Sequence, residues 1–237
     1  MILHTEITGE GHPLVLIHSG GMSASSEYEE QRDFFIEKGF QVIRPDLRGH
    51  GKSVGLIDNY FANCTEDIMD TLENLNIESC HLAGVSLGGI AALLFAQKYP
   101  HKVKTLTFSG IFPERPENWE ELTKQEAAHH EVLFKREEVI EYMNQMHGEN
   151  DWRAMLASWQ QEDFYPFEET GAVRDLSMPT MCLVGGESSL EFEAACCYKK
   201  SNESIQVSII PFAGHLVHRD QPKLYSETLL VFLQQHQ

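Results

Sequence analysis

The chain has little positive charge: 18 Lys and Arg stand against 36 Asp and Glu, for a formal net charge of −18. Such a chain repels phosphate backbones and anionic lipid surfaces unless a local basic patch intervenes. None is visible, so neither nucleic acid nor a membrane surface is expected as a partner. The acids are densest from Glu114 to Glu169 and read as solvated helix faces. No apolar run approaches the ~18 residues needed to cross a bilayer. The opening MILHTEITGEGH also lacks a basic start followed by an apolar stretch, so the expected location is the cytoplasm. Cysteine is scarce and unpatterned. Cys64, Cys80, Cys182, Cys196 and Cys197 form no CxxC pair, which fits reduced thiols better than a disulfide framework. Repeats, linkers and low-complexity segments are missing too, and 42% hydrophobic with 23% charged residues over 237 positions suits one globular domain.

What is present is an alternation. Short β-rich apolar runs, PLVLIHS (13–19), QVIRPD (41–46), CHLAGV (80–85), VKTLTFS (103–109), TMCLVG (180–185) and IQVSIIP (205–211), are separated by helical patterns near 24–38, 60–75, 87–99, 190–200 and 221–235. Strands apolar on both sides with helices between them predict a mostly parallel sheet covered on both faces, an α/β fold. After VKTLTFS, however, some seventy residues intervene before the next strand. They hold all three tryptophans, Trp119, Trp152 and Trp159, and read as a helical insertion across one end of the sheet. The expected organisation is a core of residues 1–110 and 179–237 with an insertion at 111–178.

One turn carries a chemical signature. In HLAGVSLGGIAALLFAQKYP (81–100), Ser86 lies between a strand and an Ala/Leu-rich helix, inside Gly84-Val85-Ser86-Leu87-Gly88. A nucleophile on a sharp strand-to-helix turn needs glycines two residues to either side, where a Cβ would clash, and the helix N-terminus aims N–H groups at any oxyanion nearby. The bland alternative is a tight turn whose serine only caps the helix.

With LVLIHSGG (14–21), RPDLRGHGKS (44–53), AGVSLGG (83–89) and FAGHLVHRDQP (212–222) in this order, the chain resembles the α/β-hydrolase fold superfamily in its capped, esterase-like branch. The resemblance implies a helical cap after the sixth strand of the fold, matched to VKTLTFS, and Ser86 as nucleophile. It also implies backbone N–H groups of Gly20 and Leu87 as oxyanion donors. Ser19 stands where the motif usually has glycine. Asp46, Arg48, His50 and Ser53 fall in a stretch that is mostly a structural turn in the family, and GHGKS lacks the spacing of a phosphate-binding loop. His215, on the loop after the last strand, is the general-base candidate, with an ordinary pKa near ~6.5 suited to taking and returning a proton.

The acid that would orient His215 is not obvious. The family commonly places an aspartate in a Gly-x-x-Asp pattern after the strand matching TMCLVG, but Gly185-Gly186-Glu187-Ser188 puts Ser188 there. Glu187, one residue earlier and one methylene longer than Asp, is the leading candidate. Glu114, Glu191, Glu193, or no acid at all, stay open.

The expected activity is that of a serine esterase: cleavage of a small or medium apolar carboxylic ester, with no cofactor and no metal. Trp119, Met143, Met146, Trp152, Met155 and Trp159 are candidates for an apolar roof, although helix-spaced aromatics and methionines are more often core. A lactonase, a C–C bond hydrolase, a thioesterase and a non-catalytic binder of a small ligand are the alternatives.

Overall fold

The last residues of the parallel strands all arrive at one edge of a seven-stranded sheet, and that edge is where the chemistry-bearing side chains gather. The computed structural model describes residues 1–236. In chain order the elements are β1 (Thr5–Thr8), β2 (His12–Ile17), α1 (Glu29–Glu37), β3 (Phe40–Pro45), α2 (Tyr60–Asn74), β4 (Cys80–Val85), α3 (Leu87–Lys98) and β5 (Val103–Ser109). There follow α4 (Trp119–Leu133), α5 (Glu137–His147), α6 (Trp152–Ser158), α7 (Phe167–Gly171), β6 (Thr180–Gly185), α8 (Ser189–Ser201), β7 (Gln206–Ile210), α9 (Val217–Asp220) and α10 (Pro222–Gln234). The strand order is β1-β3-β2-β4-β5-β6-β7, and β1 alone pairs antiparallel, with β3.

Burial follows from this layering. Every residue of β4 and β6 is buried, as continuous apolar strands between two helical layers must be. On one face α2, α3 and α8 contribute Cys64, Ile68, Phe95 and Tyr198 to a core with Leu82 and Leu106. On the other, α1 and α10 contribute Phe35, Tyr225 and Leu229 to a core with Leu14 and Leu183. Helix α3 is apolar nearly all round and buries nine of its residues, from Leu87 to Ala96, which is how a central helix of a large core reads. All five cysteines are free thiols. Among the described residues, no helix is long and apolar enough to cross a membrane.

The six sequence-predicted strands are present, and β1 is additional. Its four residues, TEIT, alternate in character and are only partly buried, too short a pattern to stand out. The inserted helices α4–α7 follow β5, the VKTLTFS run, which is the fifth strand of this sheet in chain order. Helix α1 begins at Glu29, later than the predicted 24, because Ser23–Ser26 form a hydrogen-bonded turn instead: Ser26 N–H donates to Ser23 O at 3.1 Å and Ser23 N–H to Ser26 Oγ at 2.8 Å. Within the insert, Met143, Trp152, Met155 and Leu156 pack against one another, with Met146 against them, as a small separate core.

Candidate active site

Backbone geometry builds the position of Ser86, the nucleophile candidate. Ser86 lies between β4 and α3 with φ 54° and ψ −122°, a conformation that costs a residue with a Cβ about 1–3 kcal/mol and persists only where the surroundings impose it. They do so here: Ser86 N–H donates to Ser109 O on β5 at 2.8 Å, and Ser86 O accepts from Ile90 N–H at 3.0 Å. The flanking glycines are required by close approach. A Cβ on Gly84 would collide with Gly88 O, and one on Gly88 with Ile17 O and His18 O of the neighbouring strand end. Serine here does not cap the helix; its side chain makes no cap hydrogen bond.

The loop after β2 is held just as tightly. Ser19, the departure from glycine, donates its N–H to Glu27 Oε2 at 2.6 Å and its O–H to Oε1 at 2.7 Å. Glu27 is fully buried, with Arg219 at 2.8 Å and His218 at 3.3 Å. Burial works against its ionisation, but His218, Arg219 and the Ser19 hydrogen bonds outweigh it and hold the carboxyl at about 2. On the other side of Gly20, Gly21 N–H donates to His50 Nε2 at 3.2 Å. The rest of RPDLRGHGKS is a hydrogen-bonded turn: Asp46 accepts from Ala24 N–H at 2.7 Å and Lys52 N–H at 2.9 Å, and Arg48 pairs with buried Asp67 at 2.6 Å. Trp159 of the insert lies directly on Gly20, where any Cβ would meet its ring.

His215 follows β7, and its Nδ1 lies 2.7 Å from Glu191 Oε1. Its ring rests on Gly110, whose absent Cβ leaves the room it occupies. Burial of the ring disfavours protonation, yet the hydrogen bond and charge of Glu191 overcome this and raise the His215 pKa above its ordinary value. Glu191 is almost wholly buried, at 4% side-chain exposure, while the imidazole keeps 47% open toward the cavity.

The expectation of Glu187 as the partner of His215 is thereby corrected. Glu187 is exposed, and its N–H donates to Ala213 O at 2.9 Å, at the turn into α8. Glu114 and Glu193 lie apart, along a separate depression between the start of the insert and α8. Ser188, where the family motif would put aspartate, is the N-cap of α8 and accepts from Glu191 N–H at 3.4 Å. The carboxylate sits one helical turn further on. A readable signal for this existed: Ser188-Ser189-Leu190-Glu191 is an S-x-x-E capping pattern, which starts the helix at Ser188 and puts Glu191 on its first turn, at the sheet edge. Instead of reaching back to the cap, the glutamate reaches His215.

These groups share one cavity of about 520 Å³, lined by Ser86, Leu87, Gly20, His215 and Glu191 together with Met22, Ile90, Phe112, Trp119, Leu122, Trp159 and Phe164. Polar groups at its wall are Ser19, Thr123, Glu126, His130, Tyr165, Ser188 and Arg219. Of the six residues expected as an apolar roof, Trp119 and Trp159 line the cavity. Met143, Met146, Trp152 and Met155 form or join the insert's own core instead, because their helical spacing turns them toward one another. Among the described residues no group of three or more His, Cys, Asp or Glu is arranged to hold a metal ion.

Comparison with known proteins agrees with this architecture. The fold superposes on a carboxylesterase structure from the Thaumarchaeon Nitrososphaera gargenis with a TM-score of 0.79 at 20% identity, covering 98% of this chain and 93% of that one. NosK from Streptomyces actuosus superposes with a TM-score of 0.82 at 24% identity, covering 96% and 99% of the two chains. In sequence, the chain is 32% identical over 108 residues to the uncharacterized hydrolase YcgS of Bacillus subtilis, and 33% identical over 119 residues to a 2-hydroxy-6-oxo-6-phenylhexa-2,4-dienoate hydrolase of Comamonas testosteroni. Each alignment takes in 46% of this chain and only 37% and 40% of those relatives' lengths. The model of the alpha/beta hydrolase fold matches residues 12–137, more than half of the sequence, and the chain belongs to that family.

Proposed function

We propose that the protein is a serine hydrolase that cleaves small or medium apolar carboxylic esters through an acyl-enzyme, with Ser86 as nucleophile, His215 as base and Glu191 as the acid that orients it. The observation that carries this reading is the 2.7 Å bond between His215 and a buried carboxylate, in the same cavity as a serine held at positive φ. A binding protein has no use for a strained serine that shares a cavity with a carboxylate-bound imidazole.

In the proposed reaction, Ser86 Oγ attacks the carbonyl carbon while His215 Nε2 takes its proton, and Glu191 stabilises the imidazolium through Nδ1–H. The carbonyl oxygen becomes the oxyanion. Ser19 N–H is taken by Glu27 and Gly21 N–H by His50, so Gly20 N–H is the donor of this loop free to serve it, together with Leu87 N–H at the start of α3. Collapse expels the alcohol, which receives the proton from His215. Water then attacks the acyl-enzyme by the same proton path and releases the acid. The inserted helices act as a cap, with Trp119, Leu122, Trp159 and Phe164 forming the apolar wall that favours an alkyl or aryl acyl group.

Hydrolysis of p-nitrophenyl butyrate at pH 8 by wild type and by Ser86→Ala tests this directly. Loss of turnover by about 10⁴-fold or more in the variant is the expected result; equal rates in the two proteins would overturn it.

A further inference from the structure

Four consecutive peptide planes of the loop after β2 each receive a side-chain hydrogen bond, the fourth from the insert, and one backbone turn bond, Met22 N–H to Ser19 O at 3.2 Å, spans them. The plane joining His18 and Ser19 is held by Glu27, which accepts the Ser19 N–H. The plane joining Ser19 and Gly20 is held by His18: its Nε2 accepts from Leu47 N–H at 2.9 Å, so its proton is on Nδ1, which donates to Ser19 O at 2.8 Å. That plane also carries the Gly20 N–H, pointing opposite to the Ser19 carbonyl. The next plane is held by His50, which accepts the Gly21 N–H and donates from Nδ1 to Arg48 O at 3.1 Å.

The last plane, joining Gly21 and Met22, is held by His147 at the C-terminal end of α5. His147 Nδ1 accepts from Gly51 N–H at 3.1 Å, so its proton is on Nε2, which lies 3.1 Å from Gly21 O and donates to it. Asn150 adds a bond to the same turn, donating to Gly51 O at 3.0 Å. His147 is fully buried, and burial holds its pKa below the ordinary value, in keeping with the neutral tautomer these bonds require.

Gly20 and Gly21 have no side chains to restrict them, and Gly21 sits at φ +73°. Without clamps such a segment samples many conformations, so the donor direction of Gly20 N–H depends on the neighbouring planes being pinned. We infer that His147 is a positioning residue through which docking of the inserted helices sets the oxyanion loop, so that Gly20 N–H is aimed at the cavity only when the insert is seated. The inference rests on the proposed oxyanion role of Gly20. It extends that role to a residue 126 positions away in sequence from the loop carbonyl it holds.

Two substitutions separate the two bonds of His147. In His147→Asn the side-chain oxygen replaces Nδ1 and keeps the link to Gly51 while the bond to Gly21 O is lost. In His147→Gln the amide nitrogen replaces Nε2 and keeps the bond to Gly21 O. Turnover of p-nitrophenyl butyrate and inhibition by 1-butaneboronic acid, which forms a charged tetrahedral adduct on the serine, are measured for both, with a thermal melt confirming a cooperative fold. The Asn variant is expected to lose about ten- to a hundredfold in kcat and to bind the boronate more weakly by the same factor, with KM little changed. The Gln variant should stay within about threefold of wild type on all counts, a small factor beside that loss. Equal behaviour of the two variants, or a loss confined to KM, would overturn the inference. A Ser86→Ala protein as active as wild type would instead overturn the underlying hydrolase reading, whatever the His147 variants do.

Discussion

The two halves of the proposed active site are built by different means. The proposed oxyanion loop and the Ser86 turn, from the N-terminal half of the chain, are backbone constructions: peptide planes pinned by buried side chains and strand ends packed too closely for a Cβ. The proposed base and its acid, from the C-terminal half, are a side-chain construction in which a glutamate on the first turn of α8 crosses to a histidine on the loop after β7. The difference teaches where variation is tolerated. A backbone construction admits few residue types, so its glycines are forced. A side-chain construction asks only that a carboxylate arrive at one point in space, and here a longer side chain starting one helical turn later brings it 2.7 Å from His215 Nδ1.

The sharpest way to break that contrast is to exchange carboxylates on the side-chain half. Glu191→Gln should lower kcat on p-nitrophenyl butyrate by about 10²- to 10⁴-fold, since the histidine loses both its orienting partner and the charge that stabilises its protonated form. Glu187→Gln, on an exposed side chain, should leave kcat within about twofold, as surface changes away from the site ordinarily do. Equal losses in the two variants would mean that the His215–Glu191 bond does not carry the acid role.

The backbone half responds differently, in stability as well as rate. Gly88→Ala forces a Cβ into the Ile17 and His18 carbonyls, and backbone atoms there cannot step aside as a side-chain tip could. Urea denaturation should show a loss of about 1–3 kcal/mol. A variant as stable as wild type would show that the strand end and α3 have more room than the geometry allows.

The smallest expected effect is a pH dependence in which the two halves have opposite signs. Burial lowers the pKa values of His18, His50 and His147, and each uses a ring nitrogen to accept a backbone N–H. Their contribution to stability is therefore full above the unfolded value near ~6.5 and is lost as pH falls below it. His215, raised by Glu191, contributes the other way: its ion pair is present below ~6.5 and is lost as pH rises through its folded pKa. His81, also buried and with its pKa lowered to about 4, adds to the same side, so with four buried histidines against one ion pair the urea midpoint should fall as pH drops from about 7.5 to about 5.5. Over the same range kcat/KM should rise with pH, through a midpoint above ~6.5, as His215 becomes free to accept a proton. A midpoint of kcat/KM below that value would argue against the Glu191 pairing.

The alternation of apolar runs and helical patterns was legible without coordinates because strands buried on both faces must be apolar throughout. Ser86 was legible because the glycines around it have a steric cause that shows in one dimension. The four-residue β1 was not, since its half-exposed TEIT lacks any such forcing. Nor were the roles of His50 and Glu27: both lie in stretches that look like ordinary turns or helix starts, and only the fold brings them to Ser19 and Gly21. The insert's tryptophans divide for the same reason, Trp119 and Trp159 facing the cavity and Trp152 facing the insert's own core, a distinction that helical period alone does not make.

What the sequence by itself determined is therefore what local sterics and burial demand: the order of strands and helices, the turn that carries Ser86, the His215 loop and the need for glycine at 84 and 88. What only the tertiary structure decided is which distant side chains meet: Glu191 rather than Glu187 against His215, Glu27 against Ser19, and His147 of the insert against Gly21. The physical reason is that a glycine is required by its immediate neighbours, whereas a hydrogen bond between side chains far apart in sequence depends on where every intervening element has packed.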